Sequence, residues 1–254
     1  MSKDKQSVSR RSFVKFAGFA SAGVASAFGA PAASQIVNKQ NPSSNSKSKV
    51  ALKPLPAQYR EYTYFTPEEA KFMEAAVDRL IPSDDVGPGA LELGVVYYID
   101  RNLESIYGYG AKTYLSGPFQ QGESTQGYQL PLRPREIYRL GIANVDSYCR
   151  SNYQGKSFAE LSESDRDKVL TELEKGEITL AKVPAGVFFP VLLQNTTEGY
   201  FGDPVHGGNR EMGSWKMLGF PGAMADFRDD VGKTEKLTYE PISLAQILER
   251  KGIQ

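Results

Sequence analysis

Apolar residues recur at helical spacing in six stretches of this chain, while alternation at strand spacing is scarce and no internal repeat is present. The first stretch opens at Thr66-Pro67-Glu68-Glu69. A threonine cap, a proline at the first helical position and a glutamate reaching back form a capping box. Met73, Ala76, Val77 and Leu80 then share one face, and Pro82 ends the segment. A second helix is predicted from Ala90 to Leu103 on the spacing of Leu91, Val95, Tyr98 and Ile99. The third runs from Pro134 to Arg150, with Ile137, Tyr138, Gly141, Val145 and Tyr148 facing inward. Ser162-Glu163-Ser164-Asp165 caps a fourth that passes Leu170 and Leu173 and stops at Gly176. A fifth, Ala185 to Gly199, is apolar through Val187, Phe188, Val191 and Leu192, and Pro190 is expected to kink or divide it. A short helix over Ser243–Arg250 completes the set. The fold class that follows is mainly α, a single helical domain with long ordered Gly/Pro/Tyr-rich loops over 107–133 and 200–240. Loops of that length without secondary structure usually carry a function, such as forming an interface.

The pattern changes before Tyr59. Ser9-Arg10-Arg11-Ser12-Phe13-Val14-Lys15 resembles a twin-arginine export signal, with Arg10, Arg11, Phe13 and Lys15 as its defining residues. A mildly apolar Ala/Gly stretch follows from Phe16 to about Ala30. It is shorter than the roughly 20 apolar residues that span a bilayer and reads as the hydrophobic part of a signal. Cleavage fits after Ala27 or after Ala32. Residues 34–58, rich in Ser, Asn, Lys and Pro, read as a flexible tether. The predicted organisation is therefore a signal over 1–33, a linker over 34–58 and a helical domain over 59–254. The expected location is the periplasm or the outer face of the cytoplasmic membrane.

Charge and rare residues narrow the chemistry. The whole chain is formally neutral, but Lys3, Lys5, Arg10, Arg11 and Lys15 against Asp4 give the first 33 residues +4, leaving −4 on the rest. That sign argues against nucleic acid as a partner. With Cys149 the only cysteine and His206 the only histidine, this chain by itself supplies no internal disulfide, all-cysteine iron–sulfur site, C-x-x-C-H haem attachment or multi-histidine metal site. No G-x-G-x-x-G or P-loop pattern is present. The twin-arginine route carries folded proteins, often with a cofactor already inserted. An address without a recognisable cofactor site suggests that the cofactor sits in a partner chain.

Three blocks carry a family resemblance. The first is Ala75-Ala76-Val77-Asp78-Arg79-Leu80-Ile81-Pro82-Ser83-Asp84-Asp85, continuing through Gly87-Pro88-Gly89-Ala90 and Tyr98-Ile99-Asp100-Arg101. The second is Gly117-Pro118-Phe119 with Thr125-Gln126-Gly127-Tyr128-Gln129-Leu130-Pro131-Leu132. The third joins Leu193-Gln194-Asn195-Thr196-Thr197-Glu198-Gly199, Gly207-Gly208-Asn209-Arg210 and Trp215-Lys216-Met217-Leu218-Gly219-Phe220-Pro221-Gly222. These resemble gluconate 2-dehydrogenase subunit 3, the small subunit of membrane-bound sugar and sugar-acid dehydrogenases, over about residues 62–230. The resemblance implies a large glucose–methanol–choline-type partner holding FAD, in some complexes a third subunit with haem c, and a small subunit carrying the export signal to the twin-arginine translocase for both. It implies no catalytic, cofactor-binding or metal-binding residues in this chain. Pro190 within the apolar helix departs from the expected pattern.

Several residues invite a chemical reading of their own. His206 lies in Asp203-Pro204-Val205-His206-Gly207-Gly208-Asn209-Arg210, which suits either an acid–base site or a structural and interface hub. Asp84, Asp85 and Asp100 could serve as paired carboxylates or a Ca²⁺ site, although Asp84-Asp85 after Pro82 also fits turn capping. Tyr114, Tyr128, Arg210, Trp215 and Phe220 are of the types enriched at interfaces and could equally fill a core beneath the loops. The candidate interface set is Tyr128, His206, Asn209, Arg210, Trp215 and Phe220. Cys149 reads as a small buried apolar residue. The main functional expectation is a chaperone-like accessory subunit. The alternatives are a free-standing exported enzyme of hydrolase type using His206 and loop carboxylates, or a separate envelope binding protein.

Overall fold

A computed structural model describes residues 61–250 apart from positions 112, 121, 124–125, 225–226 and 236. The export signal and the tether lie outside the described residues. The chain enters the domain through a buried carboxylate. Both oxygens of Asp100 face the incoming backbone: Oδ1 accepts from the amides of Tyr64 (3.0 Å) and Phe65 (2.9 Å), and Oδ2 from the amide and hydroxyl of Thr63 (2.7 and 2.8 Å). This satisfies a charge that burial would otherwise penalise, and seats Tyr64 and Phe65 in the core.

Helix α1, Pro67–Leu80, starts at the predicted capping box, with the Glu69 amide donating to Thr66 Oγ1 (3.3 Å) and the Thr66 amide to Glu69 Oε2 (2.9 Å). Its buried residues include Phe72, Met73, Ala76, Val77 and Leu80. Helix α2 is Val95–Glu104, five residues shorter at its start than the periodicity suggests. Gly94 takes a left-handed conformation (φ 72°) and breaks the helix there, so residues 90–94 form a turn and Leu91 is exposed. Apolar spacing alone does not register that break, because Ala90 and Leu93 in the turn are buried as helical residues would be.

Helix α3, Pro134–Asn152, buries Ile137, Tyr138, Gly141, Ile142, Val145 and Cys149. Tyr148, predicted to face inward, is only half-buried and donates its hydroxyl to Glu172 at 3.0 Å. A 3₁₀ turn at Phe158–Glu160 puts Phe158 in the core, and Ser162 caps α4, Glu163–Glu174. Arg79 of α1 holds α4 through both oxygens of Asp167 (2.7 and 2.8 Å) and through Glu163 (3.0 Å).

Helix α5, Ala185–Phe201, is the central element and packs against α1, α2, α3 and α4. Phe188, Leu192, Asn195, Thr196, Gly199 and Tyr200 are buried along it. Pro190 does not divide it. The proline removes one bond, to the carbonyl of Gly186, near the helix start on a solvent-facing turn where water can take that carbonyl. The packed face beyond it keeps the helix continuous.

The 200–240 region carries more regular helical structure than the long ordered loop predicted for it. It contains 3₁₀ turns at Pro204–His206, Arg210–Met212 and Arg228–Asp230, and a seventh α-helix that apolar spacing misses, α6, Gly213–Leu218. At six residues it is too short to show a period. Helix α7, Leu244–Arg250, closes the described chain. Among the described residues no strand forms, and a single parallel bridge joins Gly222 to Ile242. The fold is mainly α, as the hydrophobic pattern predicts. No helix of the described residues is long and apolar enough to cross a membrane.

Candidate interaction surface

The end of α5 organises the residues that the sequence marks in the third block. Asp203 caps the turn after it, accepting the Val205 amide at 2.9 Å through one oxygen and the Leu244 amide of α7 at 2.8 Å through the other. Gly208 then runs directly against α5: a Cβ there would lie 2.1 Å from the carbonyl oxygen of Gly199. Only glycine permits this approach. Asn209 is buried, donates to the Gly202 carbonyl (2.8 Å), and accepts the amide (3.0 Å) and hydroxyl (2.7 Å) of Ser214. The Arg210 amide donates to the Leu93 carbonyl and its guanidinium to the Glu92 carbonyl, each at 3.2 Å. Residues 207–213 are thereby a strap fastening the turn before α2 to the end of α5.

Trp215 is only 5% exposed and donates Nε1–H to the Phe201 carbonyl at 2.7 Å. Phe220 lies edge-on to it at 5.3 Å and is 46% exposed. The candidate set thus divides: Asn209 and Trp215 hold the fold from inside, whereas His206 and Phe220 face solvent. Phe201, Val205 and Leu218, which the sequence does not single out, add exposed apolar surface on the same stretch of chain. Their signal is hidden because an exposed apolar residue and a core one look alike in sequence.

His206 borders an open groove of about 550 Å³ whose walls include Tyr98, Thr197 and Phe201. Glu198 lies in it, accepting from Gln194 Nε2 (2.8 Å) and from the Tyr98 hydroxyl (3.3 Å). Burial, and then the neighbouring Glu198 carboxylate, push the Tyr98 phenol up to about 12. Neither Asp84, Asp85 nor Asp100 lines this groove. Asp84 caps its own turn, accepting the amides of Val86 (2.9 Å) and Gly87 (3.2 Å), and both oxygens of Asp100 are taken by residues 63–65. Among the described residues no group of three His, Cys, Asp or Glu side chains is placed to hold a metal ion.

Tyr128 sits in the other long loop. Among the described residues its enclosed hydroxyl has no hydrogen-bond partner, and burial raises its pKa. In the same region Asn195 of α5 donates to the hydroxyls of Tyr107 and Tyr138, both at 3.1 Å. Tyr114 is 84% exposed, and the Arg135 guanidinium covers the ring of Tyr109 at 4.1 Å. A further cleft of about 550 Å³, lined by Glu74, Asp78, Asp146, Arg150 and Arg166 among others, carries charges of both signs. Cys149 is buried, and desolvation pushes its thiol up to about 12, so it is neither a nucleophile nor a ready site of oxidation.

Compared with known proteins, the chain matches no curated protein and no solved structure. A family model described as gluconate 2-dehydrogenase subunit 3 matches residues 67–222, from the first turn of α1 through the strap and α6 to the glycine of the isolated bridge. By that match, the chain belongs to the gluconate 2-dehydrogenase subunit 3 family.

Proposed function

We propose that this chain is the non-catalytic small subunit of an extracytoplasmic FAD-dependent dehydrogenase, that it binds the flavin-bearing subunit before export, and that it supplies the address for both. Family membership over residues 67–222 is the observation that carries this reading, since the family is that of a dehydrogenase subunit. Arg10, Arg11, Phe13 and Lys15 supply the export motif. The exposed side chains of Phe201, Val205, Leu218 and Phe220 offer apolar contact area of the kind a stable interface needs. An assembly that crosses a membrane folded would bury roughly 1,600 Å² or more between its subunits. A haem c subunit and the quinone pool would receive the electrons, and this chain would perform no chemistry itself.

The test is co-expression with the flavin-bearing subunit of the same organism, purified through a tag on this chain. A yellow complex whose export stops when Arg10 and Arg11 become lysine is the expected result. A colourless monomer exported alone would overturn the proposal. Turnover by the isolated chain, lost in His206→Ala, would transfer the assignment to the free-standing enzyme.

A further inference from the structure

The charged cleft of about 550 Å³ lies between α1, the end of α3, the 3₁₀ turn at Phe158–Glu160 and α4, and it shares no residue with the groove beside His206. Lys71, Ala75 and Asp78 follow one another along one face of α1 and form its wall. Several of its charges are spent within the chain. Glu74 accepts from the Tyr62 hydroxyl (2.8 Å), and Asp146 accepts from the Phe158 amide (2.9 Å) and from Arg150 (3.4 Å). Glu160 accepts the amide and the hydroxyl of Ser157, both at 2.8 Å.

Two groups of opposite sign are not spent in this way. Asp78 is half-buried, yet among the described residues its carboxylate takes part in no hydrogen bond or ion pair. Burial pushes its pKa up, against the lowering influence of the Arg79 and Arg166 guanidiniums. Arg79 is committed to Asp167 and Glu163. Arg166 donates Nη2–H to the Ala159 carbonyl (2.6 Å), but its Nε–H is enclosed with no partner among the described residues. A carboxylate and a guanidinium thus stand close enough to influence each other on one cleft, and no ion pair joins them. Asp100 shows the contrast, since four donors converge on its two oxygens. A partly desolvated carboxylate gains from a cation that reaches it, and an enclosed N–H gains from an acceptor. Unspent charge in a concave site serves ligand binding better than it serves stability.

We infer that this cleft binds a small zwitterion, an amino acid in the broad sense, with its ammonium on Asp78 and its carboxylate on Arg166. A simple cation or anion would satisfy one of the two groups and leave the other, whereas a zwitterion bridges both. The inference does not rest on the proposed function, because the site is complete within this chain.

The experiment is calorimetric titration of the full chain, without a partner, at pH 7 and low salt. The probes are glycine, β-alanine and γ-aminobutyrate, which hold ammonium and carboxylate progressively further apart, with methylamine and acetate as the separate halves. At least one zwitterion is expected to bind with a Kd below about 1 mM, and about tenfold or more tighter than either half. Asp78→Asn is expected to weaken that zwitterion about tenfold while raising the Tm of the free chain, because an acid whose pKa rises on folding is destabilising while ionised. Arg166→Gln should weaken it to a similar extent. Absence of binding by all three zwitterions, equal binding by methylamine or acetate, or unchanged affinity in either variant overturns the inference. Loss of binding together with a lowered Tm in Asp78→Asn would make that carboxylate a structural clasp and overturn it as well. None of these outcomes bears on the proposed function, which association with the flavin-bearing subunit tests separately.

Discussion

Asp100 illustrates how one residue can resemble a catalytic carboxylate and act as a clasp. It is 1% exposed, and four donors from Thr63, Tyr64 and Phe65 converge on its two oxygens. Hydrogen bonds to a charged acceptor are each worth about 1.5–3 kcal/mol when the alternative is a buried unpaired amide. Asp100→Ala would leave three backbone amides without that acceptor, at a cost of about 3 kcal/mol or more. For a domain of this size that lowers Tm by roughly 6–12 °C. Asp100→Asn should also destabilise, because its NH₂ group would face donors at one of the two positions. Thermal melts of the two variants measure this, and a Tm within a degree of wild type would show that water replaces the carboxylate at no cost. If the proposed association with a flavin-bearing subunit holds, the Asn variant should keep it below its Tm, since the residue acts inside the domain.

At the scale of elements, the packing of α3 against α5 depends on a missing side chain. Gly141 lies in the middle of α3, where alanine would gain about 1 kcal/mol of helix propensity. Yet an added Cβ would sit 2.2 Å from Cδ2 of Phe188 on α5, and Phe188 is fully buried. Overpacking of that kind costs about 1–3 kcal/mol and outweighs the propensity gain. Gly141→Ala should therefore destabilise, and Phe188→Leu in the same background should restore part of the loss. Additive losses in the double variant, measured by urea denaturation, would refute a direct clash. Gly141 also marks the limit of what the sequence conveys at this scale. Its apolar spacing places it inward, but nothing in the chain identifies Phe188 as the partner. Capping boxes survive into the structure because Thr66 and Glu69 are three residues apart and need nothing else. The start of α2, the continuity of α5 past Pro190 and the existence of α6 depend on tertiary packing, which periodicity does not encode. In the candidate surface, the Gly207-Gly208-Asn209 run signals a special backbone, whereas the left-handed Glu211 and Met212 carry no residue-type signal.

For the whole molecule, the question is whether the strap and α6 belong to the same cooperative unit as the bundle or lie on it as a separable layer. Their contacts favour one unit. Gly208 rests on Gly199, Asn209 bonds Gly202, Arg210 bonds Glu92 and Leu93, and Trp215 bonds Phe201, so the strap and α6 tie the turn before α2 to the end of α5. Helix α5, whose Gly199 and Phe201 receive two of these contacts and whose C-cap Gly202 receives a third, is also the helix that touches α1, α2, α3 and α4. Opening the strap would strip buried surface from Leu93 and Trp215, both of which are in the core. The chain has a single tryptophan, so Trp215 fluorescence reports this corner alone, while far-UV circular dichroism reports the helices together. The two urea transitions are expected to coincide in midpoint and slope. An earlier fluorescence transition would mean that the corner unfolds locally, and a strap free to open in that way could not by itself sustain the left-handed conformations of Glu211 and Met212. Coincident transitions would support a preformed surface, in which the strain at Glu211 and Met212 is sustained by the cooperativity of the whole bundle rather than by the strap itself.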